Sequence, residues 1–162
     1  MRPDTPLVAA QALTIAGTAW PGRARWALPR AVVVAAVSTG LAGAGLSVAG
    51  ALPHGSRLTP RVVPPDDAEL LTGGVYAVSR HPVYAGLVLA TGAFAVLRGR
   101  PEPLVSWLGL VAVLDRKTRH EEVHLAERFG AAYERYRRRT PRLLGVPGRP
   151  ATHDDGRPPR VR

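Results

Sequence analysis

A histidine, a tyrosine and a pair of adjacent glutamates are the residues of this chain whose types and spacing best fit a chemical role. His81 is followed three positions later by Tyr84, and Glu121 and Glu122 lie further along the chain. A carboxylate can bind an ammonium group through a charge-assisted pair, and a histidine or tyrosine can hold a hydroxyl or a carboxylate. Such residues suit a reaction in which positioning two reactants is most of the catalytic work.

The histidine and the tyrosine stand where an apolar helix should begin. Pro82 suits the first turn of a helix, because the N–H that it lacks would have no partner there. Apolar residues follow from 83 to 97. Arg80, His81 and Tyr84 would therefore lie at a membrane–water boundary, where polar side chains are functional candidates.

Composition favours a membrane protein over a soluble one. The chain has 162 residues, is 46% hydrophobic and carries a net charge of +10. Its charges and its apolar residues are segregated, since 13 of its 22 basic residues lie at or after Arg116. A basic balance beside apolar segments indicates anionic lipids as partners, rather than nucleic acid. Cysteine is absent, which excludes disulfides, thiolate zinc sites and a cysteine nucleophile.

Four apolar segments, at residues 7–20, 31–52, 83–97 and 104–114, predict the fold. The second is uncharged and long enough to cross a bilayer, which takes about 20 residues. The last two are shorter, and we expect a tight helical hairpin whose second helix continues unbroken to Phe129. The fold class is thus an all-α integral membrane protein with about four membrane-embedded helices, a C-terminal helical hairpin and a cytosolic helical extension.

The remaining segments are polar. Residues 53–79 read as an extended crossing, and the proline- and glycine-rich stretch from 145 should be disordered. We divide the chain into N-terminal membrane helices (1–52), a catalytic region (53–144) and a disordered basic tail (145–162). The positive-inside rule predicts that the C-terminus lies in the cytoplasm. We expect the protein in a bacterial inner membrane. Asp4 and the Trp20-Pro21 pair argue against a secretory signal.

Two motifs together resemble the isoprenylcysteine carboxyl methyltransferase family, which merges into the membrane phospholipid methyltransferases. The resemblance covers roughly residues 52 to 144. The matching residues are Tyr76, Arg80, His81, Pro82, Tyr84 and Gly86 in the first motif, and Glu121, Glu122, Leu125, Phe129, Gly130, Tyr133, Tyr136, Arg139 and Pro141 in the second.

The resemblance implies a membrane enzyme that uses S-adenosylmethionine, with a cofactor pocket built by the last two membrane helices and the cytosolic segment. Carried over, Arg80, His81 and Tyr84 contact the cofactor. Glu121 or Glu122 binds its amino group or positions the acceptor. Arg119 faces the acceptor carboxylate, so that Arg119 and Glu122 are the catalytic candidates, and no metal is implied.

Several alternatives stay open at this point. The acceptor can be a prenylated cysteine, a phospholipid amine or an unrelated lipophilic acid. The chain can also be a non-catalytic membrane protein with the same scaffold, or a small basic protein that binds nucleic acid, although residues 31–52 argue against the last. Tyr133 and Tyr136 suit packing, and His153-Asp154-Asp155 has no partner cluster for a metal. The arginines expected to contact anionic lipid phosphates are Arg135, Arg137, Arg138, Arg139 and Arg142.

Overall fold

The computed structural model describes residues 5–57 and 70–145, and every regular element within these ranges is helical. The longer helices are α1 (Thr5–Thr18), α2 (Arg30–Ala51), α3 (Pro82–Leu97), α4 (Pro101–Phe129) and α5 (Ala131–Arg139). Two short 3-10 helices cover Leu52–Arg57 and Gly74–Ala77. The predicted disordered tail, with its His153-Asp154-Asp155 stretch, and most of the polar crossing lie outside the described residues.

Each of the four apolar segments forms a helix, as predicted, and the fourth runs on without a break. Helix α4 has 29 residues, with Pro101 in its first turn. At about 1.5 Å per residue it is about 43 Å long, which exceeds the roughly 30 Å hydrocarbon core of a bilayer. Gly130 ends it with a φ of 49°, a left-handed conformation that favours glycine. The predicted helical extension beyond the apolar segment is therefore confirmed.

Within the described ranges, one helical stretch, Arg30–Gly55, is long and apolar enough to cross a membrane. It consists of α2 and the turn that follows, and few of its residues are buried inside the protein. The helices Pro6–Thr18 and Pro82–Leu97 are apolar but shorter. The embedding of all four helices, and the side on which each end lies, stay predictions.

The packing differs in one respect from the expected tight hairpin of α3 and α4. A short turn at residues 98–100 does join these helices, but α3 packs most extensively against α2, and α4 against α1. The reason is the close approach of Gly43 in α2 to Gly86 in α3, where a Cβ at Gly43 would lie 2.7 Å from the Gly86 carbonyl oxygen. Small residues allow such contact between apolar helices, whereas the α3–α4 contact includes the bulky Trp107, whose indole N–H donates to Val88 O at 2.9 Å.

Hydrogen bonds fasten α5 and the segment after it to the start of α3. Tyr136 Oη donates to Tyr76 O at 2.6 Å, and Tyr76 Oη donates to Gly50 O at the end of α2 at 2.8 Å. Tyr133 and Tyr136 are both buried, as expected for side chains that pack in the core. The end of α2, the start of α3, the second half of α4 and all of α5 therefore meet at one end of the bundle.

The opposite end is tied together by the connection between α1 and α2. The backbone N–H of Arg25 donates to Gly99 O at 2.8 Å, in the turn between α3 and α4. The Arg25 side chain also pairs with Glu102 at the start of α4. These contacts hold the connection between α1 and α2 against the turn between α3 and α4 and against the start of α4.

The glycine contact between α2 and α3 can be tested with a matched pair of substitutions. Gly43→Ala should lower the thermal stability in detergent, because its Cβ meets backbone atoms of α3 within 3 Å, and overpacking costs about 1–3 kcal/mol. Gly45→Ala is the control, since no atom lies within 4 Å of its added Cβ. Circular-dichroism melting curves measure both, and equal melting temperatures in the two variants would contradict the assigned packing.

Candidate active site

A buried cluster of charged side chains forms where the start of α3 meets the second half of α4. Arg80 Nη2 lies 2.8 Å from Glu122 Oε1. His81 lies between the two glutamates, with Nδ1 3.3 Å from Glu121 Oε2 and Nε2 3.4 Å from Glu122 Oε1. Arg80, His81 and Glu122 are each at most 7% exposed. Residues from both motifs are thus brought together.

The backbone before α3 is held by the segment that follows α5. The N–H of Arg80 donates to Pro141 O at 2.9 Å, and that of His81 donates to Arg142 O at 3.1 Å. Ser79 Oγ donates to the same Arg142 carbonyl at 3.2 Å. These bonds satisfy the backbone donors just ahead of the helix, where Pro82 occupies the first turn. The C-terminal segment therefore fixes the direction in which the Arg80 and His81 side chains enter the cluster.

Tyr84 completes the set of residues that the motifs predicted to meet. Its hydroxyl donates to Glu121 Oε1 at 2.7 Å. Its ring stacks on that of His81, with centroids 5.9 Å apart and an angle of 21° between the planes. All five residues assigned to the cofactor, which come from the start of α3 and from α4, share this one cluster.

The structure gives the two glutamates different surroundings. Glu122 receives Arg80, His81 and a two-point contact from Arg142, whose Nε and Nη2 lie 3.0 and 2.9 Å from its two oxygens. Its side chain is 6% exposed, against 14% for Glu121. A carboxylate has about four acceptor positions, and protein cations already engage those of Glu122. Glu121 is the better placed of the two to receive a further cation.

Arg142 is a site residue that the sequence analysis assigned elsewhere. We expected it to contact lipid phosphates, and that is wrong for its side chain, which bridges Glu122 and Asp115 with a 3.3 Å contact to Asp115 Oδ1. The planar guanidinium suits such bidentate pairing. Nothing in the local sequence distinguishes Arg142 from the other arginines near it, so only the fold could reveal its role.

Arg119 lies outside the cluster. Its side chain is 63% exposed, and its Nε pairs with Asp115 Oδ2 at 2.8 Å, one turn back along α4. The spacing of three residues suggested a shared face with Glu122, but the ion pair with Asp115 directs Arg119 outward while Glu122 points into the protein. Its assigned role toward an acceptor carboxylate stays a prediction.

Lys117 is the second residue that the sequence analysis missed. It is fully buried, and its Nζ donates to Gln11 Oε1 on α1 at 2.9 Å. The same ammonium lies 5.0 Å from the centroid of the Tyr84 ring, within cation–π range. A sequence signal did exist, because Lys117 is the only lysine in a chain whose other basic residues are all arginine.

The cluster changes the acidity of its members. Burial alone would raise the pKa of Glu122, but the contacts from His81 and Arg142 and the charge of Arg80 outweigh it and lower that pKa to about 2. Burial opposes the charged form of His81, yet the neighbouring carboxylates of Glu121 and Glu122 dominate and raise its pKa above the usual value. The cluster therefore keeps an anionic Glu122 and favours a cationic His81.

No metal site is evident in residues 5–57 and 70–145, where no three histidine, aspartate or glutamate side chains are placed to hold an ion. Each acid of the cluster instead faces a nitrogen base or a hydroxyl of the protein. These charged and hydrogen-bonding groups are suited to bind and orient a charged organic ligand.

The lowered pKa of Glu122 predicts a specific acid sensitivity. A carboxyl with a depressed pKa stabilises the fold above its unfolded value of 4.5, and that stabilisation is lost as the pH falls toward about 2. Glu122→Gln should melt lower at neutral pH and lose less stability over this acidic range than the wild type. Glu134→Gln, which removes a surface pair with Arg137, is the control, and melting curves at stepped pH decide. Parallel acid curves for Glu122→Gln and the wild type would contradict the assigned ionisation.

Known proteins share sequence similarity with about half of this chain. The protein-S-isoprenylcysteine O-methyltransferase of Schizosaccharomyces pombe is 35% identical over 82 residues, which is 50% of this chain and 34% of that protein. A probable protein-S-isoprenylcysteine O-methyltransferase of Oryza sativa subsp. indica is 35% identical over 72 residues, covering 44% of this chain and 38% of its own length. The chain thus spans little more than a third of the relatives it matches. No solved structure matches it.

The family described as phospholipid methyltransferase matches residues 31–132. This range includes α3, α4, the start of α5 and nearly all of α2, and so the first motif, the second motif as far as Gly130, and every residue of the cluster except Arg142. The resemblance drawn from the motifs is confirmed, and because the match covers well over half of the chain, the protein belongs to the phospholipid methyltransferase family.

Proposed function

We propose that this protein is an S-adenosylmethionine-dependent membrane methyltransferase whose acceptor is lipophilic, with a carboxylate of the isoprenylcysteine type as the first candidate. The observation that carries the proposal is the meeting of His81, Tyr84 and Glu121 in one buried cluster, at an end of the bundle where α2 leaves its apolar stretch. The relatives named above are O-methyltransferases acting on isoprenylcysteine, which favours an acceptor of this class.

The residues of the cluster fit the cofactor. Glu121 offers a carboxylate to the ammonium of its methionine part, since its protein partners are only Tyr84 and His81 among the contacts described. Four buried side-chain atoms have no hydrogen-bond partner within the described part of the chain, and three of them, Arg80 Nε, His81 Nε2 and Tyr133 Oη, lie in or beside the cluster. Buried donors without partners are costly, and a carboxylate or a hydroxyl of a ligand would satisfy them.

The proposed mechanism depends on positioning. When bound, S-adenosylmethionine supplies an electrophilic methyl group carried on a sulfonium. A carboxylate acceptor is already anionic near neutral pH, so that no side chain has to act as a general base. Tyr84 and His81 orient Glu121, and the charged contacts of Glu122 hold Arg80 in place beside them. The protein thus presents a fixed binding surface and accelerates the reaction mainly by holding the two reactants in line.

A second acceptor class is supported by the family description itself. The description of the family suggests a phospholipid with an amine headgroup as the acceptor. That amine would have to be neutral to attack the methyl group. Arg119 would suit a carboxylate and would not help an amine.

The proposal also includes a bacterial inner membrane with the C-terminus in the cytoplasm. The exposed arginines of α5 support this orientation through the positive-inside rule.

An apolar groove elsewhere in the bundle does not serve the reacting groups. It has a volume of about 350 Å³ and lies between the first half of α2, the second half of α3 and Trp107 of α4. Trp107 and Glu121 are 14 residues apart along α4, which is about 21 Å at 1.5 Å per residue. The part of the groove beside Trp107 is therefore too far from the cluster to hold the acceptor's reacting end.

Cofactor binding is the first test of the proposal. Glu121→Gln should weaken binding of S-adenosylmethionine by about tenfold or more, because a hydrogen bond to a charged group contributes about 1.5–3 kcal/mol. His81→Ala should weaken it too, since it removes the ring on which Tyr84 stacks. Calorimetry in detergent measures both, with Glu127→Gln on the exposed side of α4 as the control. Unchanged affinity in both cluster variants would refute the assigned pocket.

The acceptor is tested by isotope transfer from methyl-labelled S-adenosylmethionine into a membrane lipid extract. A carboxyl methyl ester releases its label as methanol in alkali, whereas an N-methyl group keeps it, so one hydrolysis step separates the two classes. We expect base-labile product, and Arg119→Lys should lower its turnover without changing cofactor affinity, because the two-point grip on a carboxylate is lost. Base-stable product assigns the phospholipid amine instead. Cofactor binding without any transfer would support the non-catalytic alternative.

A further inference from the structure

Lys117 is the feature of the site that the proposed reaction leaves unexplained. It is the only lysine in the chain and its side chain is fully buried on α4. Removing an ammonium from water is expensive unless other groups compensate for the lost hydration. Such a residue next to an apolar segment is a candidate for function rather than a neutral filler of the core.

The contacts of Lys117 join three helices. Its Nζ donates to Gln11 Oε1 of α1 at 2.9 Å and lies 5.0 Å from the ring centroid of Tyr84 on α3. An amide oxygen and an aromatic face are both suitable partners for a buried cation. The ammonium is therefore held between α1 and a residue of the candidate active site.

Tyr84 links this contact to Glu121, the carboxylate proposed to bind the cofactor. Its hydroxyl donates to Glu121 Oε1 at 2.7 Å while its ring meets Lys117. Lys117 and Glu121 are four residues apart, so they occupy neighbouring positions on one face of α4. A shift of the lysine head would move the ring, and with it the hydroxyl that orients Glu121.

Helix α1 lies outside the part of the chain that matches the family, which begins at residue 31. We propose that Gln11 and Lys117 form a positioning pair, in which an amide from α1 holds the lysine ammonium against the Tyr84 ring and so fixes the Tyr84 hydroxyl on Glu121. This inference rests on the proposed cofactor role of Glu121. Neither member of the pair touches the cofactor, and both act through Tyr84.

A double-mutant cycle on the full-length chain tests the pair. Gln11→Leu and Lys117→Met keep the approximate volumes and remove the hydrogen bond. Each should weaken S-adenosylmethionine binding by about threefold to tenfold, the usual scale for residues coupled through one network. The double variant should be no weaker than the single ones, because either change alone already releases the Tyr84 ring.

Two further variants separate positioning from simple support of the fold. Lys117→Arg keeps a cation and a donor toward Gln11, and should retain most of the affinity. Thr14→Val is the control on α1, since the Thr14 hydroxyl bonds only its own helix among the described contacts, and its methyl group packs at Gly109 of α4. It should leave affinity unchanged even if it lowers the melting temperature.

The added readout is the rise in melting temperature that saturating S-adenosylmethionine produces. A positioning pair reduces this rise, because binding to the folded state is weaker, whereas a structural defect lowers the melting temperature equally with and without the cofactor. Three outcomes would each overturn the inference while leaving the proposed function intact. They are wild-type affinity in Gln11→Leu and Lys117→Met, additive losses of affinity in the double variant, and an equal loss of affinity in Thr14→Val. A wild-type chain that binds no S-adenosylmethionine would overturn both.

Discussion

The buried carboxylate of Glu122 is the interaction on which the arrangement of the site depends. It receives Arg80 from the start of α3, His81 beside it, and Arg142 from the segment after α5. A buried charge without partners would be strongly destabilising, so α4, the start of α3 and the segment after α5 must assemble together around it. Because α3 and α4 also carry Tyr84 and Glu121, the geometry offered to a ligand follows from satisfying Glu122. Glu122 thus organises the site, and Glu121 beside it stays placed to bind a ligand.

Close helix packing supplies the frame within which that charge can be satisfied. The backbones of α2 and α3 approach at Gly43 and Gly86, which sets the depth of the α3 start relative to the end of α2. Tyr76 then reaches Gly50 O, and its own carbonyl accepts from Tyr136 of α5. Few residues of α2 are buried inside the protein, as suits a helix that crosses a membrane, and ion pairs lie at both ends of the bundle. Close glycine packing along α2 and α3 and ion pairs at the helix ends therefore act at different positions along the bundle.

The sequence was informative wherever a local rule determined the outcome. Uncharged apolar runs predicted helices α1–α4, Pro82 marked the start of α3, and the lack of proline or glycine after Leu110 predicted the long α4. The motifs predicted which five residues would gather. The sequence could not show which glutamate has its acceptor positions occupied by protein cations. Arg142 reaches Glu122 only because α5 folds back toward the start of α3. The outward turn of Arg119 likewise depends on Asp115, an alternative partner that spacing alone did not weigh.

Lys117 shows why a family motif need not define a complete site. Motif residues are those that a common reaction demands, whereas the groups that hold them can come from any helix that reaches the same space. Here α1, which precedes the family region, supplies Gln11 to a lysine that lies against Tyr84. A buried ammonium must be compensated, and Gln11 of α1 supplies one of the partners of this one. The helix least expected to take part from its sequence is therefore linked to Glu121 through the contacts of Lys117 and Tyr84.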